Sequence, residues 1–232
     1  MPDELANVRI MATTKTIPDA DALKRVGKAV RERLNADAGA YKIDTDKAEL
    51  YAIGDFLSLQ ECKRLCTMID LTARPSTLHE LSYDSGFRTS YSGDLDPSDS
   101  FVKGIARRID DLLGVPSAIG EAIQGQRYLP GQEFKPHNDW FYTTEKYWEN
   151  ERKRGGQRSW TTMAFLNTVE EGGETHFTKV GIQIVPKPGV LLVWNNALED
   201  GSPNEGTMHA GTPVIKGNKY VITRWYRTRA WK

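Results

Sequence analysis

Hydrophobic positions along the chain change their period once, and that change divides it. Residues 1–17 show no period. From Pro18-Asp19 onward, Leu23, Val26, Val30 and Leu34 recur at helical spacing among Lys, Arg and Glu. This predicts one amphipathic surface helix, with a break over 36–40. Leu50-Tyr51-Ala52-Ile53 predicts a short strand. Ser58 with Glu61 three residues on is a capping-box pair, opening a helix predicted to run to Leu71. Residues 82–100, rich in Ser, Asp and Gly, predict an irregular loop. Ser98 is expected to cap a helix carrying Phe101, Ile105, Ile109 and Leu112, ended by Gly114. Beyond residue 122 the runs shorten. Strands are predicted at 122–129, 159–167, 175–177, 181–185, 190–194, 212–214 and 219–227, separated by Gly, Pro and Asn turns. Helices first and short strands afterwards predict a mainly β fold with buttressing helices, its core a sandwich or barrel.

The length of 232 residues suits one domain with an extension. We place an N-terminal helical, partly flexible extension at 1–49 and the domain at 50–232. Lys+Arg and Asp+Glu balance at 31 each, which argues against a general nucleic-acid or acidic-membrane binder. No apolar run reaches the ~18 residues of a spanning helix. The start, MPDELANVRIMATTKT, lacks the apolar stretch of a secretory signal, so the expected location is cytoplasmic, with no membrane partner. The two cysteines, Cys62 and Cys66, make no disulfide framework; spaced four apart on a helix, they read as buried small hydrophobes.

Chemistry enters with two of the four histidines. His137 and Asp139 are two apart, so on an extended segment both side chains leave the same face. His209 stands at the edge of another predicted strand. Two His and one carboxylate on one side of a metal form a facial triad, which suits non-haem Fe(II) chemistry with dioxygen. The His-x-Asp pair alone is cheap: with four His and 31 acids, chance supplies one about half the time. On the pair alone, a surface His beside an Asp in a turn after Pro136 is the better reading. Further on, Lys219, Val221, Thr223 and Trp225 alternate with Tyr220, Ile222, Arg224 and Tyr226. Either Lys219 faces inward, where its ammonium needs an anion, or that face is exposed and Arg224 points in.

Residues 50–66, Phe87-Arg88-Thr89-Ser90, 127–139, Gly155-Gly156-Gln157-Arg158, FLNTVEEGGE at 165–174, Lys187-Pro188-Gly189, Trp194-Asn195 and His209-Ala210-Gly211-Thr212-Pro213-Val214 with 217–225 match a known pattern in order and gap. Over about residues 50 to 227 the chain resembles the prolyl 4-hydroxylase branch of the Fe(II)/2-oxoglutarate dioxygenases. The resemblance implies a double-stranded β-helix, or jelly roll, with His137, Asp139 and His209 as iron ligands. It implies that Lys219 binds the distal carboxylate of 2-oxoglutarate, and that Tyr128, Thr161 and Trp225 line the cosubstrate or iron site. Arg88 and Trp140 fall on the substrate side. Phe165 departs from the pattern, standing where relatives often have Tyr, and so does His176, where relatives often have an apolar residue; the latter reads as an ordinary strand histidine.

The implied activity is hydroxylation of a prolyl residue, at C4, in a protein or peptide. It uses Fe(II), 2-oxoglutarate and O2, with ascorbate as reductant and succinate and CO2 as co-products. The loops at 82–100 and 141–157 are expected to close over the substrate. Trp140, Tyr142, Tyr147 and Trp148 either pack a proline ring or anchor their own loop. The alternatives are a free amino acid or small-molecule substrate, a non-catalytic jelly-roll module, or a zinc hydrolase, which Lys219 fits poorly. Monomer and homodimer are both compatible with the sequence.

Overall fold

The computed structural model describes residues 17–76 and 86–232. The expectations for residues 1–16 and 82–85 lie outside the described residues, as does His79, which the sequence places at the surface near a helix end. The helices are α1 (Ala20–Ala36), α2 (Leu59–Thr72), α3 (Ser100–Leu113) and α4 (Trp148–Arg154). The strands are β1 (Ala40–Lys42), β2 (Leu50–Ile53), β3 (Arg74–Pro75), β4 (Tyr91–Asp94), β5 (Gln124–Tyr128), β6 (Phe134–His137), β7 (Arg158–Phe165), β8 (Glu171–Gly172), β9 (Thr175–Phe177), β10 (Ile182–Ile184), β11 (Leu191–Asn195), β12 (His209–Gly211), β13 (Val214–Lys216) and β14 (Lys219–Arg227). An eight-stranded sheet runs β1-β2-β11-β7-β14-β5-β4-β3, and a four-stranded sheet runs β10-β9-β12-β6. The pairings are antiparallel, and the architecture is a jelly roll buttressed by helices.

The large sheet is buried on both faces. Trp160, Ala164, Leu191, Val193, Ile222 and Tyr226 face the helices, packing with Val30, Leu34, Leu65, Ile69, Ile105 and Ile109. The alternate residues Met163, Phe165, Leu192, Trp194 and Val221 form a second core, which takes in Phe177 of the small sheet. Strand alternation therefore sends one set of side chains to the helices and the other into the barrel. Neither of the two orientations expected for β14 holds alone. Lys219, Thr223 and Trp225 share the barrel-side parity, while Arg224 is buried on the helix side, 3.2 Å from Asp110 of α3.

Several element expectations shift. The capping box forms, with Glu61 N donating to Ser58 Oγ (3.2 Å) and Ser58 N to Glu61 Oε2 (2.8 Å). Asp99 rather than Ser98 caps α3, accepting from Phe101 N at 2.8 Å and Val102 N at 3.0 Å. An N-cap oxygen must reach the second and third helical N–H groups, which Asp99 does while Ser98 bonds Asp96. Within the expected loop at 82–100, β4 is a strand; its Ser and Gly hide the period, and pairing with β5 supplies the order. The strand expected at 212–214 is instead the gap between β12 and β13: only Val214 is in a strand, and Pro213 lacks a donor. Strand β6 was hidden by Pro136, tolerated because β6 is an edge strand.

Helix α1 is not merely a surface element. Val30 and Leu34 are fully buried in the helix-side core. The boundary drawn at residue 50 falls between β1 and β2, which pair with each other. Of the two cysteines, Cys62 is buried and Cys66 half-buried, and both are free thiols.

Gly125 sits where α2 crosses β5, and a Cβ there would lie 2.3 Å from Ile69 Cγ1. Gly125→Ala is expected to lower stability by about 1–3 kcal/mol through overpacking, read by urea denaturation.

Candidate active site

Antiparallel pairing of β12 with β6 sets His209 directly opposite His137. Their rings are 4.3 Å apart between centroids. Asp139 follows β6 by two residues, and the donor atoms of His137, Asp139 and His209 all lie within 4.8 Å of one another. His137 Nδ1 is 2.8 Å from Lys135 O, and His209 Nδ1 is 2.9 Å from Thr207 O. A carbonyl only accepts, so each Nδ1 carries the proton and each Nε2 keeps its lone pair for a metal. Burial, followed by the neighbouring His209, pushes the His137 pKa down to about 3, which keeps that imidazole neutral. Burial alone would raise the Asp139 carboxyl. His209, His137, Arg158 and the Thr161 hydroxyl outweigh it and hold the group below its ordinary value. Two imidazoles and one carboxylate at this spacing fit Fe(II).

Two cavities meet at these ligands. The inner one is lined by Gln126, Tyr128, Thr175, Lys219 and Thr223, and the outer is a groove of about 650 Å³ that includes Arg88, Glu121, Tyr142, Arg158 and Trp231. Phe134, His137, Asp139 and Trp225 line both. Lys219 is 2% exposed, and its ammonium donates to Thr175 Oγ1 at 3.2 Å. Burial pushes its pKa down to about 7, partly opposed by Glu174. A buried lysine with no carboxylate in salt-bridge range among the described residues is a ready anion site. Tyr128 OH donates to Gln126 Oε1 (2.9 Å), and Gln126 Nε2 donates to Thr223 Oγ1 (3.3 Å), so the polar wall of this pocket is internally fixed.

The family described as the 2OG-Fe(II) oxygenase superfamily matches residues 123–227. Prolyl 4-hydroxylase 5 of Arabidopsis thaliana is 32% identical over 77% of this chain and 68% of its own length. Prolyl 4-hydroxylase subunit alpha-1 of Mus musculus is 30% identical over 78% of this chain but only 33% of its own. The chain belongs to the prolyl 4-hydroxylase family of 2-oxoglutarate/Fe(II) oxygenases. It spans about two thirds of the length of the plant relatives it matches, 66% for probable prolyl 4-hydroxylase 8 of Arabidopsis thaliana. The viral collagen prolyl hydroxylase of Paramecium Bursaria Chlorella virus-1, solved with 2-oxoglutarate, superposes with a TM-score of 0.60 at 26% identity, covering 76% of this chain and 94% of that one. A Trichoplax adhaerens prolyl hydroxylase shares the fold, with a TM-score of 0.57 at 16% identity over 93% of this chain and 94% of its own. Family and donor set together make this an oxygenase, not a silent jelly-roll module or a zinc hydrolase.

The remaining residues implied by the family pattern divide. Trp225 lies at the junction of the cavities, with the Arg158 guanidinium 4.0 Å over its ring. Arg88 lines the groove, and its side chain is held by Ser90, Ser92 and Gln124. The Thr161 hydroxyl donates to Asp139 Oδ2 at 2.9 Å and accepts from Asn196 Nδ2 at 2.9 Å, which orients the carboxylate. Trp140 touches the groove, but it is 7% exposed and packs with Leu23 and Ala197, so anchoring dominates. In its aromatic neighbourhood, Tyr142 and Tyr147 line the groove while Trp148 is buried at the start of α4. Phe165 is fully buried beside Lys219, its centroid 5.7 Å from Nζ, and adds no hydroxyl. His176 alternates with the inward Thr175 and Phe177 and lines neither cavity.

Sequence reasoning missed Arg158 and Glu121 as groove residues. Arg158 Nε and Nη2 donate to the two Glu121 carboxylate oxygens at 2.8 and 3.0 Å. Arg158 was visible only inside its Gly-Gly-Gln-Arg run, and Glu121 carries no local signal. Thr175 was also missed, although it shares inward parity with Phe177.

Two outcomes follow for the site. Thr161→Val leaves the Asp139 carboxylate without its hydroxyl donor, and Fe(II) affinity is expected to fall about 10-fold or more in a metal titration. Lys219 must be charged to hold a dicarboxylate, and burial sets its pKa at about 7 before one binds. Affinity for 2-oxoglutarate is therefore expected to be full below that pH and to fall by up to ~10-fold per unit above it. Binding measured from pH 6 to 9 reads this, and Lys219→Met should flatten the profile at low affinity.

Proposed function

We propose that the protein hydroxylates a prolyl residue at C4 within a protein or peptide segment, forming succinate and CO2 from 2-oxoglutarate, with ascorbate as reductant. One observation carries this reading. The metal-donor cluster stands where a small, lysine-lined pocket meets a groove of about 650 Å³. The pocket suits a small dicarboxylate, and the groove is larger than a free amino acid needs, which favours an extended segment.

His137, Asp139 and His209 would hold Fe(II), which when bound supplies oxygen activation coupled to decarboxylation of 2-oxoglutarate. The protein's own part is orientation. Lys219 takes the distal carboxylate, with Thr175 fixing its ammonium. Thr161 and Asn196 aim the Asp139 carboxylate. Tyr128 and Gln126 wall the pocket through an internal hydrogen bond and leave little room for water. On the groove side, Trp225 stacked on Arg158 gives a rigid aromatic floor against which a proline ring can pack. The named activities of the plant and viral relatives support the prolyl reading.

The free thiols of Cys62 and Cys66 support a reducing, cytoplasmic setting. Balanced charge supports the absence of a nucleic-acid partner. No helix among the described residues is long and apolar enough to cross a membrane.

With Fe(II), 2-oxoglutarate and ascorbate, succinate release is expected to rise when proline-containing peptides are added. The peptide should gain the mass of one oxygen on a prolyl residue. Asp139→Ala should give neither. Equal, negligible succinate from wild type and Asp139→Ala under every condition would refute the reading.

A further inference from the structure

The first fifty residues lie outside the family resemblance, yet the helix they contain reaches the segment that carries the iron ligand Asp139. Asp19 precedes α1 in the left-handed region, with φ at 64°, and makes no side-chain cap to its own helix. An Asp at that position ordinarily caps the first turn. Here its Oδ2 accepts instead from Gln157 N at 3.1 Å and from the Thr228 hydroxyl at 2.9 Å, and its Oδ1 accepts from Arg229. Gly156 makes this approach possible. It has φ at 79°, and a Cβ there would sit 2.4 Å from both Asp19 Oδ2 and Thr228 Oγ1. The Gln157 side chain, fully buried, then pairs with both backbone groups of Phe141. Its Oε1 accepts from Phe141 N and its Nε2 donates to Phe141 O, each at 2.8 Å. The Phe141 ring lies under the guanidinium groups of Arg158 and Arg227, at 4.8 and 4.5 Å. Between Phe141 and Asp139, Trp140 packs on Leu23 of α1, which is 1% exposed.

We infer that α1 braces the metal site: Asp19, through Gln157, and Leu23, through Trp140, are positioning residues for the Asp139 carboxylate. The inference rests on the iron-site reading. Asp139 follows an edge strand and lies in no regular element, so its own backbone pairing does not fix its direction. Thr161 orients the carboxylate end, while the brace sets where the main chain of 139–141 runs. A metal ligand displaced by even part of an ångström loses affinity, because the three donors must converge.

The test is Mn(II) binding to the full chain, followed by electron paramagnetic resonance, beside thermal unfolding of the same samples. Asp19→Ala, Leu23→Ala and Gln157→Met are expected to weaken Mn(II) binding about 10-fold or more. Leu23→Met, which keeps the volume, should restore it. Leu34→Ala is the control: Leu34 is equally buried in α1 but packs in the helix-side core, away from 139–141. It should lower the melting temperature and leave Mn(II) affinity unchanged. If Leu23→Ala fails to fold, Asp19→Ala and the nearly isosteric Gln157→Met decide the matter. Mn(II) affinity within 2-fold of wild type in Asp19→Ala and Gln157→Met would overturn the brace. A wild type that binds no Mn(II) would overturn the site reading and the brace together, a result distinct from the first.

Discussion

A sheet buried on both faces is the constraint on which the rest of this molecule depends. In β7 and β14 one parity of side chains must satisfy the helices and the other must build the barrel interior. A slip of one residue in either strand would exchange the two sets. It would put Trp160 and Tyr226 into the barrel and send Thr161, Lys219 and Trp225 toward the helices. The register of β14 on β7, with Trp225 opposite Thr161, is thus a chemical specification as well as a packing one. The small sheet adds the second half: the pairing of β12 on β6 brings His209 to His137 across a long stretch of chain.

Burial on both faces also dictates how charge is handled. Arg224 is neutralised by Asp110, whose carboxylate also accepts from Tyr226 OH at 2.7 Å. Arg227 is bonded to Glu121 and Glu151, and Arg158 to Glu121. These buried guanidinium groups have carboxylate partners, as the cost of an unpaired interior charge requires. Lys219 differs: among the described residues its ammonium has a hydroxyl and no carboxylate in hydrogen-bond range, which suits it to an incoming anion. The paired network is structural in a second sense. Through Arg227 and Glu151 it ties β14 to α4, and through Arg158 it approaches Asp139, whose Oδ1 lies 3.9 Å away. The groove wall and the ligand carboxylate therefore share one set of charges.

Much of the site was legible because its signals are local or stand at fixed separations. The His137-x-Asp139 spacing puts two donors on one face of an extended segment, and the Lys219–Trp225 alternation puts the lysine, threonine and tryptophan together. Ser58 and Glu61 specify a cap within four residues. Legibility failed where order comes from a neighbour. Strand β4 owes its conformation to β5, and β6 contains a proline that only its edge position tolerates. Thr161 was rightly placed facing inward, but its hydrogen bond to Asp139 depends on how two segments meet. Glu121 has no periodic company, and only the fold puts it beside Arg158 and Arg227.

The sequence by itself determined the three long helices, most of the strands, the three donor residues, the inward parity open to Lys219 and the family, since each is written in spacing along the backbone. The tertiary structure alone decided that both faces of β14 are buried, that the Thr161 hydroxyl is bonded to the Asp139 carboxylate, and that the N-terminal helix is joined to the core and to residues 139–141. The physical reason is that periodicity reports which side chains share a face. It does not report what that face will meet, because the partner arrives from a distant part of the chain.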